Sequence, residues 1–213
     1  METEFIRMGI VYLHLIACCV AIGTVFMGDL DMVRRLLRSG DDRSDPGHFD
    51  ALHTTVSRAL IALWVTGVAL VGMDVLAKGT PILLNPKLQA KIAMVVLLTI
   101  NGFALQQCVL PWLKKMRSLM GLTFSRRMLA VFVGSVSAVS WFYAALLGVG
   151  RPLNWQYSLA EILAAYPVMI AGGFFAMMIL TAWADYRARH ASLLDFQLFG
   201  SRDLRPVPAL AAA

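Results

Sequence analysis

Two residues of this chain could do chemistry inside an apolar environment, His14 and Lys91. His14 is the only histidine or charged residue in the apolar run 8–28, and Lys91 opens the third apolar run. At a helical rise of ~1.5 Å per residue, His14 lies ~6 Å and Lys91 ~15 Å from the centres of their runs, toward the same membrane face. An imidazole on iron, with a cation beside a propionate, would hold a haem. Arg7 lies at the same level and is a further candidate for cofactor binding.

The same spacing fits a purely structural role for these two residues. His14 would then form a hydrogen bond to a neighbouring helix, as polar side chains in membrane bundles commonly do. Lys91 would extend its aliphatic stem along the bundle and place its amine at the membrane surface. The sequence leaves both interpretations open.

A second group of potential ligands surrounds His53. Asp50 and His53 are three residues apart and share a helix face, and Asp29 or Asp31 from the end of the first run could supply a third metal ligand. The alternative is a solvated helix start. His53 lies ~13 Å beyond the centre of its run on the side opposite to His14, an axial gap of ~20 Å, which disfavours a single haem between the two histidines. Two haems, or one haem with a different second ligand, remain open.

The elements that position these residues are five apolar runs. They cover about 8–28, 53–75, 90–113, 128–150 and 158–183. Each is long enough to cross a hydrocarbon core of ~30 Å as an α-helix. With 59% hydrophobic and 15% charged residues, the chain is predicted to be an all-α, polytopic integral membrane bundle. We assign residues 1–190 to a five-helix transmembrane domain and 191–213 to a cytoplasmic C-terminal tail.

The distribution of basic residues predicts the orientation of the bundle. Fourteen Lys and Arg residues lie in the connections after the first and third runs and in the tail, against five on the other side. The positive-inside rule therefore places the N-terminus outside and the C-terminus in the cytoplasm of a cell inner (plasma) membrane. The net charge of +6 is thus a topology signal that indicates the lipid bilayer as partner and no nucleic acid.

The three cysteines all lie inside apolar runs. Cys18, Cys19 and Cys108 are odd in number, so they imply no disulfide framework. Together with His14 and Met8, Cys18 or Cys19 could instead pass copper, which prefers soft ligands. The sequence shows no phosphate-binding glycine loop and no nucleophile beside a base, which gives hydrolase and phosphoryl-transfer chemistry no support.

Three stretches in the first half of the chain carry a family resemblance. Tyr12-Leu13-His14-Leu15-Ile16 resembles the first membrane helix of the HemJ-type protoporphyrinogen oxidases and of the related CopD-type copper-resistance membrane proteins. The stretch 60–70 resembles the second helix of both, and 88–98 is similar to the HemJ segment in which a Lys opens the third helix. The resemblance implies haem b and porphyrin oxidation, with His14 and Lys91 as the functional pair.

Three hypotheses of function follow. The leading one is a haem b protein in electron transfer or porphyrin redox chemistry, with His14 and Lys91 at the cofactor and Lys91 as the catalytic candidate. As an oxidoreductase it would act on a porphyrin or a quinone-type electron carrier. The second is a CopD-like copper-handling protein, in which His14 and sulfur residues such as Met8, Cys18 or Cys19 pass copper. His14 and His53 are the candidate metal ligands. The third is a cofactor-free accessory subunit of a larger membrane complex. The expected protein partner is a membrane redox protein or a second copy of this chain.

Overall fold

The computed structural model describes residues 2–38, 46–116, 118–150 and 155–199, with the side chains of all of these except 46, 48 and 191–199. The described part of the chain is built of helices joined by short turns and contains no strand. Five of its helices are long and apolar enough to cross a membrane. The predicted all-α membrane bundle of five spans is therefore confirmed.

The helices follow one another with short connections. They are α1 (Glu2–Leu37), α2 (Pro46–Lys78), a 3₁₀ helix (Thr80–Leu84), α3 (Pro86–Ala104), a π-helical segment (Leu105–Val109), α4 (Leu110–Met116), α5 (Phe124–Val149) and α6 (Leu159–Phe199). The third span comprises α3, the π segment and α4, which together form one continuous rod, Pro86–Met116.

Local sequence accounts for the break between α2 and α3. Gly79 has a φ of 80°, a left-handed conformation that glycine adopts without strain, and Pro81 follows it in the 3₁₀ helix. Asn85 then caps α3, because its side chain accepts a hydrogen bond from the Lys87 backbone N–H at 3.0 Å. Pro86 occupies the first turn of α3, where its missing N–H costs nothing.

Polar contacts at both ends of the bundle show that successive spans run antiparallel. At the end where α1 begins, called here the Glu2 end, Arg7 pairs with Asp74 of α2 at 3.4 Å. At the opposite end, called the Leu37 end, Lys114 of α4 pairs with Asp50 of α2. At the same end, an Arg187 guanidinium nitrogen of α6 donates to the Leu37 carbonyl at 3.2 Å.

Small and aromatic side chains form the core between the spans. α1 packs along α2, and the buried residues Ala17, Ala21 and Ala59 allow these backbones to approach closely. Trp141 of α5 is only 2% exposed and joins this cluster to the rest of the bundle. α5 in turn packs against α3 and α6, where the Tyr143 hydroxyl donates to the carbonyl of Ile162.

Helix α6 runs without interruption to Phe199. The domain boundary predicted at residue 190 therefore falls within this helix. Residues 200–213, which belong to the predicted cytoplasmic tail, lie outside the described residues.

Candidate functional site

His14 is held by a specific partner on the neighbouring helix. Its Nδ1 lies 2.7 Å from the Thr66 hydroxyl oxygen of α2, and both side chains are half-buried. The Thr66 hydroxyl also lies 2.6 Å from the backbone carbonyl of Ala62, one turn earlier in α2. His14, Thr66 and Ala62 O thus form a short chain of hydrogen bonds within the membrane.

This series of hydrogen bonds determines which nitrogen of the His14 imidazole carries the proton. The Thr66 hydroxyl has one proton, and a carbonyl can only accept, so the short contact to Ala62 uses that proton. Thr66 Oγ1 is then the acceptor for a proton on His14 Nδ1. The other nitrogen, Nε2, is left unprotonated with its lone pair available. A histidine fixed in this way through one nitrogen is the arrangement that metal and haem sites use.

The surroundings of His14 on α2 are small. A Cβ atom added to Gly67 would lie 3.6 Å from His14 Cε1, which is ordinary van der Waals contact. The His14 imidazole lies beside the α2 backbone at Gly67. Alanine at this position would make an ordinary contact with the ring, and only a larger side chain would clash with it.

Lys91 lies in the same region as His14. It is half-buried near the start of α3, and its charge acts through space on the His14 imidazole. Among the described residues, Lys91 makes no ion pair and no side-chain hydrogen bond. The two residues that the sequence pattern placed on one side of the membrane therefore lie within electrostatic range of each other, and the Lys91 amine has no anionic partner in the described part of the chain.

Arg7 is engaged elsewhere at the Glu2 end. Its guanidinium contacts Asp74 at 3.4 Å, and Lys78 reaches the same carboxylate at 3.4 Å. This exposed cluster ties α1 to α2. Arg7 would have to leave Asp74 in order to bind a propionate.

His53 belongs to a different part of the molecule. It lines a cavity of about 340 Å³ toward the Leu37 end, between the α1–α2 pair and the remaining spans. Asp29 of α1 lines the same cavity. Asp50, which the sequence pattern offered as a metal ligand beside His53, instead pairs with Lys114 of α4.

The two histidines are far apart along the bundle. His14 contacts Thr66, which lies 13 positions after His53 in α2. At ~1.5 Å per residue this is an axial separation of ~20 Å, too large for one metal ion or one haem iron.

The described residues contain no group of three or more His, Cys, Asp or Glu side chains arranged to hold a metal ion. Cys18 packs against the alanines between α1 and α2, whereas Cys19 and Cys108 are exposed and all three are free thiols. The copper hypothesis, in which His14 would act with sulfur ligands, finds no assembled group of His, Cys, Asp or Glu ligands in this part of the chain. A porphyrin iron needs only the single protein ligand that His14 Nε2 offers, so the residues present fit a haem better than a bare ion.

Sequence reasoning missed Thr66 and the cavity. Thr66 stands in the apolar stretch 60–70 and is one of the few polar residues there, which could have marked it as a partner for His14. The cavity had no such signal, because its walls come from five separate spans.

No family model matches the chain, and comparisons with curated proteins and with solved structures likewise find no match.

Proposed function

We propose that this protein is a haem b-binding protein of a bacterial-type inner membrane that acts in electron transfer or porphyrin redox chemistry. His14 is the axial ligand and Lys91 the partner of a haem propionate. The HemJ-like stretches around these residues agree with this assignment. The bound haem would supply one-electron redox chemistry, and the protein would hold and tune it.

The observation that carries this proposal is the His14–Thr66 hydrogen bond of 2.7 Å. The bond fixes the imidazole through Nδ1 and directs the lone pair of Nε2 away from Thr66. A hydrogen bond through Nδ1 alone leaves the second ring nitrogen without a partner from Thr66. Here the nitrogen that would bind iron is the one that remains available.

The positive charge of the Lys91 side chain also supports the proposal. A half-buried amine near the membrane surface, without a carboxylate partner among the described residues, is suited to pair with an anion. A haem propionate supplies that anion at a distance from the iron comparable to the offset between His14 and Lys91. The resemblance to the HemJ segment in which a Lys opens the third helix is the basis for considering Lys91 catalytic.

A cofactor-free accessory subunit is the second candidate, and one observation favours it. Gln106 and Gln107 lie in the π segment of the third span, are exposed, and make no side-chain hydrogen bond to the described residues. Amides at membrane depth are commonly satisfied by another helix. A partner subunit or a second copy of this chain would provide it.

The test is the absorption spectrum of the purified protein, expressed with ample haem and measured oxidised and after dithionite reduction. We expect a Soret band with sharpened bands on reduction, absent in His14→Ala and retained in His53→Ala, the matched histidine control. A colourless wild-type protein, or a His14→Ala variant with the wild-type spectrum, would refute the proposal. Size-exclusion chromatography of each variant separates loss of haem from loss of fold.

A further inference from the structure

The cavity toward the Leu37 end is not used by the proposed haem site. It measures about 340 Å³, within the ~300–1,000 Å³ typical of small-molecule sites. Neither His14 nor Lys91 lines it. Its walls are mostly apolar and include Leu60, Leu98 and Trp141. A ligand of this cavity must therefore have an apolar body.

Two ionisable side chains from neighbouring helices face this cavity. α1 and α2 approach closely at Gly28, where an added Cβ would lie 3.2 Å from Leu52 Cδ1. Asp29 and His53 directly follow these two contact residues, so they lie at about the same level of the bundle. Neither side chain has a hydrogen bond or an ion pair with the described residues. The half-buried His53 imidazole and the exposed Asp29 carboxyl at the cavity wall therefore have no partner in the part of the chain that the structure describes.

The third span also lines the cavity. Its π segment contributes Leu105 and Val109, both of which line the cavity. π-helical turns within α-helices occur frequently at functional sites, because the extra residue displaces the backbone locally. Asn101 lines the cavity just before this segment, but its amide nitrogen is already bonded to the Val133 carbonyl at 3.1 Å.

The chemistry of these groups limits the ligand class. A bare metal ion would need three donors together, which the described residues do not provide. An anionic ligand such as a fatty acid would meet the Asp29 carboxylate. A neutral molecule with carbonyl or hydroxyl groups satisfies both side chains, since an imidazole N–H donates to a carbonyl and a carboxylate accepts from a hydroxyl.

We propose that this cavity is a binding site for a lipid-soluble quinone-type molecule, whose ring oxygens contact His53 and Asp29 and whose apolar body lies against Leu60, Leu98 and Trp141. In its oxidised form a quinone carries carbonyl oxygens, which accept from the His53 N–H, and in its reduced form it carries hydroxyls, which donate to the Asp29 carboxylate, so each form has a polar partner in the site. The site is independent of the haem, because His53 lies ~20 Å along the bundle from the level of His14.

Trp141 provides the measurement. Its indole lines the cavity and is 2% exposed, so a quinone bound there would quench its fluorescence. The probe is decylubiquinone, titrated into the full-length protein in detergent micelles. We expect saturable quenching, and an apparent affinity at least tenfold weaker in His53→Ala. Decylbenzene, which has the chain but no ring oxygens, should not compete with the probe.

Two glycines of α5 supply a matched pair of variants that do not depend on His53. A Cβ on Gly134 or on Gly148 would have no neighbouring atom within 4 Å, but only Gly134 lines the cavity. Gly134→Leu should fill the cavity and abolish saturable quenching, whereas Gly148→Leu should bind the probe like wild type. Equal binding by both variants would overturn the proposal.

The quinone proposal and the haem proposal can each fail without the other. His14→Ala should retain probe binding and lose the Soret band. His53→Ala should bind the probe more weakly and retain the Soret band. Relief of the decylubiquinone quenching by excess decylbenzene would identify a nonspecific alkyl cavity and overturn the quinone assignment. A colourless protein that binds the probe saturably would refute the haem alone.

Discussion

At the scale of single residues, the candidate haem site depends on one hydrogen-bonded pair. His14 is half-buried in a span, and polar groups at that depth need a partner. Thr66 supplies it and donates its own hydroxyl hydrogen bond to the Ala62 carbonyl. The structural interpretation of His14, a hydrogen bond to a neighbouring helix, and the haem interpretation are therefore compatible, since the bond uses only Nδ1.

This pair leads to a prediction for Thr66. Thr66→Val keeps the shape of the side chain but removes the acceptor for His14 Nδ1–H, so the ring loses its fixed orientation. We expect haem affinity to fall by roughly 10–100-fold, the usual effect of removing an outer-shell partner, with a shift in midpoint potential. Haem content per protein and a redox titration measure the two effects.

Thr66→Ser is the control for that change. Serine retains the hydroxyl, so the haem content and the midpoint potential should stay close to wild type. A Thr66→Val protein with unchanged potential and haem content would show that Thr66 does not orient the ligand.

At the scale of helices, the approach of α1 to α2 sets the space around His14. Gly67 lies beside the imidazole, and a Cβ there would be 3.6 Å from Cε1. The backbone of α2 thus forms one wall beside the ring, and the size of residue 67 limits where the ring can lie. Closeness of this kind is a property of the helix pair and not of either helix alone.

We predict opposite outcomes for two substitutions at Gly67. Gly67→Ala should leave the absorption spectrum unchanged, because its Cβ makes an ordinary contact. Gly67→Leu should displace the imidazole, and overpacking of this kind costs about 1–3 kcal/mol, so haem affinity should fall by roughly tenfold. Titration of haem into the apoprotein measures the affinities.

Gly72→Leu is the matched control on α2, since a Cβ at Gly72 has no neighbour within 4 Å. It should bind haem like wild type. If Gly67→Leu also behaved like wild type, the imidazole beside Gly67 would not be the iron ligand.

At the scale of the whole molecule, the five spans alternate in direction, so that α1 and α6, the first and the fifth, run the same way through the membrane. Arg7–Asp74 and Arg187–Leu37 O mark the two ends. The predicted orientation, with the N-terminus outside and the C-terminus in the cytoplasm, comes from the distribution of Lys and Arg. The geometry of the bundle is the same in either orientation, so this stays a prediction.

Cysteine labelling tests the orientation. In a background with Cys18, Cys19 and Cys108 changed to alanine, Glu4→Cys and Ala188→Cys place single thiols at exposed positions near opposite ends. We expect a membrane-impermeant maleimide to label residue 4 in intact cells and residue 188 only after permeabilisation. The converse labelling pattern would mean that the bundle is inverted.

The sequence alone was sufficient for the class of the molecule and the approximate limits of its spans. Hydropathy is a local property, and in a bilayer each span satisfies its own backbone hydrogen bonds, so an apolar run of sufficient length becomes a helix whatever its neighbours are. The depth of His14 and Lys91 followed from the same local rule, because helical rise converts residue number into distance.

The tertiary structure decided which side chains meet. Asp50 shares a helix face with His53 in sequence, yet it pairs with Lys114 of another span. Thr66 meets His14, and Asp29 and His53 come to one cavity, because of how α1 and α2 are rotated and how closely they approach. Those rotations result from packing among all five spans, a sum of many small contacts that no single stretch of sequence encodes.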